Sequence, residues 1–144
     1  MNADFQNYAY SDLTDRIIRV FYQVYNELGH GFLESVYRRA LALALEQDGM
    51  KVDRELAIPV WFRGYDVGSF RCDLLIESAV LLELKTADAI AKPHEAQVLN
   101  YLRATTIEIG LILNFDPKPQ VRRLVFENAR KQISGNQRSS AVGV

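Results

Sequence analysis

A chain of 144 residues, 49% hydrophobic and 24% charged, is suited to one globular domain built round a single core. No apolar run is long enough to span a bilayer and Met1 to Asn7 lacks the basic-then-apolar layout of a secretory signal, so the expected location is cytoplasmic and no membrane is expected as a partner. Cys72 is the only cysteine, which excludes an internal disulfide and a cysteine-built zinc cluster, and a formal net charge of −1 argues against strong nonspecific binding of nucleic acid.

From about Ser11 to Leu28, apolar residues at Leu13, Ile17, Val20, Phe21, Val24 and Leu28 recur with a helical period, and Gly29 supplies a stop. A second helix is predicted from about Phe32 to Gln47, with Leu33, Val36, Tyr37, Ala40, Leu41, Ala44 and Leu45 as its apolar positions and Asp48-Gly49 at its end. Gly29-His30-Gly31 between the two reads as a tight interhelical turn and not a phosphate cradle, because no glycine-rich loop follows a strand. The period then changes. Val52 to Val60 reads as a strand, Phe62 to Asp66 as a hairpin turn, and Val67 to Ile76 and Val80 to Leu84 as two more strands. Pro93 suits a first helical turn, with Glu95 to Ala104 continuing a helix that ends near Thr105-Thr106 and buries Ala96, Val98 and Leu102. Ile109 to Asn114 is a short apolar strand closed by Asp116-Pro117, and Val121 to Phe126 adds a last one. The composition of 134–144, rich in Ser, Gly, Asn and Gln, predicts a disordered tail after one domain over 1–133. The order helix, helix, three strands, helix, two strands predicts an α/β (α+β) fold in which helices flank a mixed sheet.

The stretch from Arg71 to Lys85 carries the chemistry. Side chains alternate along a strand, so Glu83 and Lys85 share one face while Leu82 and Leu84 share the other. A three-residue loop, Glu77-Ser78-Ala79, would set Asp73 opposite Glu83 on the adjacent antiparallel strand; a two-residue turn would leave Asp73 on the wrong side. A carboxylate pair so placed holds Mg²⁺, or alternatively Mn²⁺, through hard oxygen ligands, and a lysine on the same face acts on a water or a phosphate. The plainer reading makes Asp73 a strand cap and Glu83 with Lys85 a solvent-facing pair, which the short motif alone would favour. Against it, Val80 to Leu84 is nearly continuous in apolar character, as in a strand buried on both faces, and a carboxylate there is costly unless paired or bound to metal. Cys72 is read as a buried structural thiol. Lys118, Arg122, Arg123, Arg130, Lys131 and Arg138 crowd the C-terminal part, as solvated charge or as a local phosphate-facing patch.

Two helical features accompany this stretch. His94, Gln97 and Tyr101 stand at i, i+3 and i+7 and share a helix face, and Glu34 lies early in the second helix, where a carboxylate also complements the helix dipole. The run Gly31-Phe32-Leu33-Glu34-Ser35-Val36-Tyr37 resembles the motif for which the GxxExxY protein family is named, and that family looks like a branch of the PD-(D/E)XK nuclease superfamily. The likeness extends from about Ile17 to Phe126 and includes Arg71 to Leu75, Glu83-Leu84-Lys85 and the helix from His94 to Tyr101. Gln97 and Tyr101 are also similar to the glutamine-tyrosine motif of RecB-like nucleases. Cys72 stands where the superfamily's name has proline.

The resemblance implies a restriction-endonuclease-like core of order α-β-β-β-α-β, with its acidic cluster at the fork of the central sheet and the helix from Ser11 to Leu28 as an addition. It implies Asp73 and Glu83 as metal ligands together with the main-chain carbonyl of Leu84, and Lys85 as the catalytic lysine. Glu34 is implied as an auxiliary acid or part of a second metal position, Gln97 as a donor to phosphate or a support for a ligand, and His94 and Tyr101 as auxiliary residues. The implied activity is Mg²⁺-dependent hydrolysis of phosphodiester bonds in nucleic acid, with DNA as the expected substrate. The other reading is a catalytically silent module that keeps the fold and binds nucleic acid or a protein, which the acidic net charge and small size favour. A homodimer or a protein partner suits either reading.

Overall fold

The computed structural model describes residues 3–131, so the tail expected over 134–144 lies outside the described residues, as does Arg138. Two helices, α1 (Ala3–Leu28) and α2 (Glu34–Gln47), precede the strands β1 (Val52–Phe62), β2 (Tyr65–Ile76) and β3 (Val80–Lys85). The helix α3 (Lys92–Arg103) then leads to β4 (Ile109–Asn114) and β5 (Gln120–Val125), and a 3₁₀ turn follows at Asn128–Arg130. The strands form one mixed sheet in chain order, antiparallel throughout except where β3 and β4 run parallel across the α3 crossover. This is the mixed sheet flanked by helices that the residue pattern predicts. No helix among the described residues is long and apolar enough to cross a membrane.

The helices form two layers because the sheet is apolar on both faces. On one face Ile17, Phe21, Tyr37, Leu41 and Leu45 of α1 and α2 pack with Leu74, Ile76, Leu82, Leu84, Leu111 and Leu113. On the other, Val98 and Leu102 of α3 pack with Ile58, Cys72, Leu75, Leu81 and Ile112. The crossover helix approaches β4 closely at Gly110, where an added Cβ would stand 2.7 Å from Val98 Cγ1. Ala96, expected in this core, is exposed; Val98 and Leu102 alone among its apolar neighbours in α3 are buried.

Several boundaries differ from the expectation. The first helix starts at Ala3 and not near Ser11, since no Gly or Pro interrupts that stretch; the Ser11 carbonyl accepts the Thr14 hydroxyl at 3.0 Å inside the helix. The five-residue hairpin turn is replaced by a two-residue one, Arg63-Gly64, both with positive φ (50° and 80°), and the paired strands extend to Phe62 and Tyr65. The second helix starts at Glu34, two residues later than expected, because Gly31 has φ 105° and Leu33 is extended.

Tyr37 explains how that helix start is held. Its ring is fully buried and stacks on Phe115 at 4.2 Å, while its hydroxyl donates to the Gly29 carbonyl at 2.5 Å and accepts the Phe32 N–H at 3.3 Å. The side chain therefore clamps the turn that carries Glu34. Tyr37→Phe should cost about 0.5–1.5 kcal/mol, the usual net worth of an intramolecular hydrogen bond, because the Gly29 carbonyl and the Phe32 N–H, which stand at a part-exposed turn, lose the hydroxyl they share. Urea titration should show a lower midpoint with an unchanged slope.

Candidate active site

The loop between β2 and β3 sets the register of the site. Ile76 pairs with Val80, leaving Glu77, Ser78 and Ala79 between them; Glu77 and Ser78 both have φ 54°, and the Ala79 N–H closes the turn on the Ile76 carbonyl at 2.9 Å. Glu77 is fixed from outside, its carboxylate accepting the Lys51 N–H at 2.8 Å and its own N–H donating to the Lys51 carbonyl at 2.9 Å. Pairing then continues through Leu75↔Leu81 to Leu74↔Leu82, one step short of Asp73 and Glu83.

At that step the sheet forks. The Leu84 N–H donates to the Asp73 carboxylate at 2.9 Å, so a side chain takes the place of the next strand partner. In the outer pair the matched residues pass from Arg54↔Leu74 to Leu56↔Cys72, without Glu55 and Asp73, and Glu55 has φ 49°. The alternation of faces slips here: Leu74 and Val52 pack on the α1 and α2 side, whereas Cys72, Leu56 and Ile58 pack on the α3 side. Asp73 thus stands where the β1–β2 arm parts from β3, with β3 continuing along β4.

Glu83 is 7% exposed on a strand otherwise wholly apolar up to Leu84. Burial first, and then the charge of Asp73, push its carboxyl up to about 8, against a smaller lowering by Lys85. The two carboxyl groups are within hydrogen-bonding reach, and Glu83 Oε1 is buried with no hydrogen-bond partner. Two acidic groups in contact, one holding an orphaned oxygen, call for a proton or a cation between them. Without metal that need is met by protonation. A carboxyl whose folded value lies above its ordinary 4.5 supports the fold fully below that value, and the support is lost as pH rises through about 8. Metal-free protein should accordingly lose melting temperature between about pH 4.5 and about pH 8 relative to Glu83→Gln, read by thermal scans of both proteins in chelator.

Glu34 reaches the same centre from the start of α2. Its carboxyl is half-buried and is raised by that burial and by Asp73, while Lys85 and Arg38 act in the lowering sense. Its electrostatic neighbours are thus Asp73, Lys85 and Arg38, and it supplements Glu83 in the pH dependence above. Arg38 is a residue that sequence reasoning missed, although it stands at i+4 from Glu34 and so shares its face. It ion-pairs with Glu55 at 2.7 Å and with Asp73 at 3.6 Å.

From the other side, Tyr101 of α3 lies against the arm, its ring stacked on Phe70 at 3.7 Å and 6°. Burial and the charge of Glu83 raise its hydroxyl, which is hydrogen-bonded to the Gln97 side chain. Gln97 is itself exposed, and its link to the site is this bond to Tyr101, on which the charges of Glu83 and Asp73 act. His94 is occupied elsewhere, since its Nδ1 accepts the Ala91 N–H at 3.3 Å and closes the first turn of α3. Cys72 is buried beside the pair, and burial followed by the charges of Glu83 and Asp73 holds its thiol protonated.

Asn114 and Gln120 are two further residues that sequence reasoning missed. Asn114 is fully buried at the end of β4, exchanging hydrogen bonds with the Ala87 carbonyl (2.7 Å) and N–H (3.0 Å), while the Gln120 side chain accepts the Ile90 N–H at 3.2 Å. They tie down the loop that follows Lys85. An amide ending a wholly apolar strand was the available signal. The C-terminal basic cluster, in turn, is partly consumed by structure. Lys131 is buried and donates to the Thr105 and Ile107 carbonyls, both at 2.8 Å, and Arg122 pairs with Glu95 at 2.9 Å.

Among the described residues no group of three or more His, Cys, Asp and Glu side chains is arranged to hold a metal ion. The Asp73 and Glu83 pair nevertheless fits Mg²⁺, which is commonly bound through one or two carboxylates while waters and substrate phosphates complete its shell. The orphaned Glu83 oxygen is the ligand such an ion would take.

A family model described as the PD-(D/E)XK nuclease superfamily matches residues 11–124. No curated protein matches. Among solved structures, the crystal structure of SSO0001 is similar at 16% identity and a TM-score of 0.48, covering 85% of this chain and 62% of that one. The chain thus spans less than two thirds of that protein's length.

Proposed function

Because the chain belongs to the PD-(D/E)XK nuclease superfamily, we propose that it hydrolyses phosphodiester bonds in nucleic acid, DNA foremost, with Mg²⁺ or Mn²⁺ held by Asp73 and Glu83. Within the superfamily its place is in the GxxExxY branch, on Gly31, Glu34 and Tyr37. The observation that carries the reading is the pair of touching carboxyl groups at the sheet fork, one with an unpartnered oxygen, two residues from a lysine on the same strand face.

When bound, a divalent ion supplies Lewis-acid stabilisation of phosphoryl charge and lowers the pKa of a water. Asp73, Glu83 and the Leu84 carbonyl are the groups to hold it. Asp73 is oriented for this by the Leu84 N–H, which fixes its carboxylate at the fork. Lys85 orients the attacking water and donates to the oxygen on which negative charge grows. Glu34, half-buried at the start of α2 with Asp73 and Lys85 as neighbours, is the carboxylate placed to receive the proton of that water. Gln97 donates to a phosphate oxygen, and Tyr101 positions Gln97.

The test is cleavage of end-labelled single-stranded DNA, double-stranded DNA and RNA by the full chain with Mg²⁺ and with Mn²⁺. Products that form only with the metal support the reading. Absence of cleavage on all three substrates with both ions would overturn it.

A further inference from the structure

Beside the carboxylate fork, between the first turns of α2 and the outer strand β1, lies a cleft of about 350 Å³ lined by Ser35, Arg38, Arg39, Arg54 and Glu55. We propose that this cleft is a phosphate-binding subsite for the nucleic-acid strand, formed by Ser35, Arg38, Arg39 and Arg54 and continuous with the site of Asp73 and Glu83. It deepens the nuclease reading, on which it rests, by assigning the surface that takes the strand alongside the reacting phosphodiester.

The continuity rests on Arg38, whose guanidinium touches Glu55 in the cleft and Asp73 at the fork. The chemistry follows from the donor count. Three guanidinium groups face one carboxylate, and that carboxylate is already engaged by Arg38 at 2.7 Å and by Arg71 at 3.5 Å. Arg54 is held on the far side by an ion pair with Glu46, whereas Arg39 is exposed and has no hydrogen bond or ion pair among the described residues. Ser35 is the second residue of α2, and a helix start leaves its first N–H groups without intrahelical acceptors. In α2 the returning bonds begin only with the Val36 and Tyr37 N–H groups, both on the Leu33 carbonyl.

A ligand matching this lining must be an oxygen-rich anion that accepts hydrogen bonds. Planar arginine forks suit phosphate oxygens in particular. The cleft also resolves a difficulty posed by composition, because a chain of net charge −1 needs its positive potential concentrated where substrate lies. Two sources of phosphate have the required chemistry: an internal phosphodiester next to the reacting one, and a terminal 5′-phosphate.

Binding without turnover tests the proposal. Fluorescence anisotropy would follow labelled oligonucleotides carrying a 5′-hydroxyl or a 5′-phosphate, titrated with the full chain in chelator over a range of salt concentrations. The proteins are wild type, Arg39→Ala, Arg39→Lys, Arg54→Ala, and Arg123→Ala as a control on the exposed part of β5, with thermal scans to confirm that each is folded. Arg39→Ala and Arg54→Ala should each weaken binding severalfold, equally across sequences, and reduce the salt slope by about 1. Arg39→Lys should restore part of the affinity, and Arg123→Ala should match wild type. A 5′-phosphate that tightens binding to wild type but not to Arg39→Ala assigns the cleft to a strand end; equal affinities for the two oligonucleotides, both lowered by Arg39→Ala, assign it to an internal phosphodiester. The proposal is overturned if wild type binds neither oligonucleotide, if folded Arg39→Ala and Arg54→Ala keep the wild-type affinity and slope, or if Arg123→Ala loses as much as they do. Cleavage by wild type together with unaltered binding by the arginine variants would remove the subsite and leave the nuclease. Arginine-dependent binding by a protein that cleaves nothing would do the reverse.

Discussion

Lys85→Ala should lower turnover by about 10²-fold or more and leave divalent-ion affinity close to that of wild type, the loss usual for a missing general acid–base group or oxyanion donor. The lysine is at the end of β3 on the Glu83 face, half-buried, and contributes charge to the site without being a ligand. A second effect separates this role from a merely structural one. Lys85 lowers the proton affinity of both Glu34 and Glu83, so its removal should also shift the acid limb of the pH–rate profile upward. Turnover measured across pH, with calorimetric titration of Mn²⁺, gives both readouts. If the variant cleaves as fast as wild type, Lys85 is a surface residue and its catalytic assignment is wrong.

Asp73→Asn should abolish metal-dependent stabilisation and with it activity. Ion binding to the native state alone stabilises by mass action, by about 2.7 kcal/mol when the free ion is at a hundred times its dissociation constant, and wild type should show a rise in melting temperature that depends on metal concentration. The asparagine retains an oxygen to accept the Leu84 N–H, so the fork itself should survive. In chelator the variant should be no less stable than wild type near neutral pH, because it removes the charge that raises Glu83. A wild-type melting temperature indifferent to millimolar Mg²⁺ and Mn²⁺ would favour the silent binding module instead.

Much of this arrangement is legible in the sequence for a local reason. The relation of Asp73 to Glu83 depends on the side-chain alternation of two strands and on one loop length, and both can be read from the residues between Arg71 and Lys85. Element order is legible because periods of about 3.6 and 2 differ plainly in long segments. The slip of faces at Glu55 and Asp73 is not, since glutamate rarely adopts positive φ and tertiary packing imposes it. Ion pairing of Arg38 with Asp73 needs only the i+4 relation to Glu34, plus the knowledge that α2 lies over the fork, which no local pattern supplies. His94, Gln97 and Tyr101 read as one set on their helix face, but the position of His94 in the first turn gives it a backbone acceptor role that separates it from the other two. The clamp made by Tyr37 is hidden for the opposite reason: its motif points to chemistry, whereas the side chain itself is spent on folding.

The outer strand of the arm bears on self-association. Among the described residues β1 pairs only with β2, so its other edge offers backbone groups to any additional strand. That edge is irregular in three places: Glu55 departs from the extended conformation, Pro59 has no N–H to donate, and the register shifts between Val60 and Trp61. Between the first two only Leu56, Ala57 and Ile58 remain as an uninterrupted template, too short to seed a stable ladder with an incoming chain. A homodimer joined by a continuous intermolecular sheet along this edge is therefore disfavoured, and the same breaks protect the long arm against fibril growth.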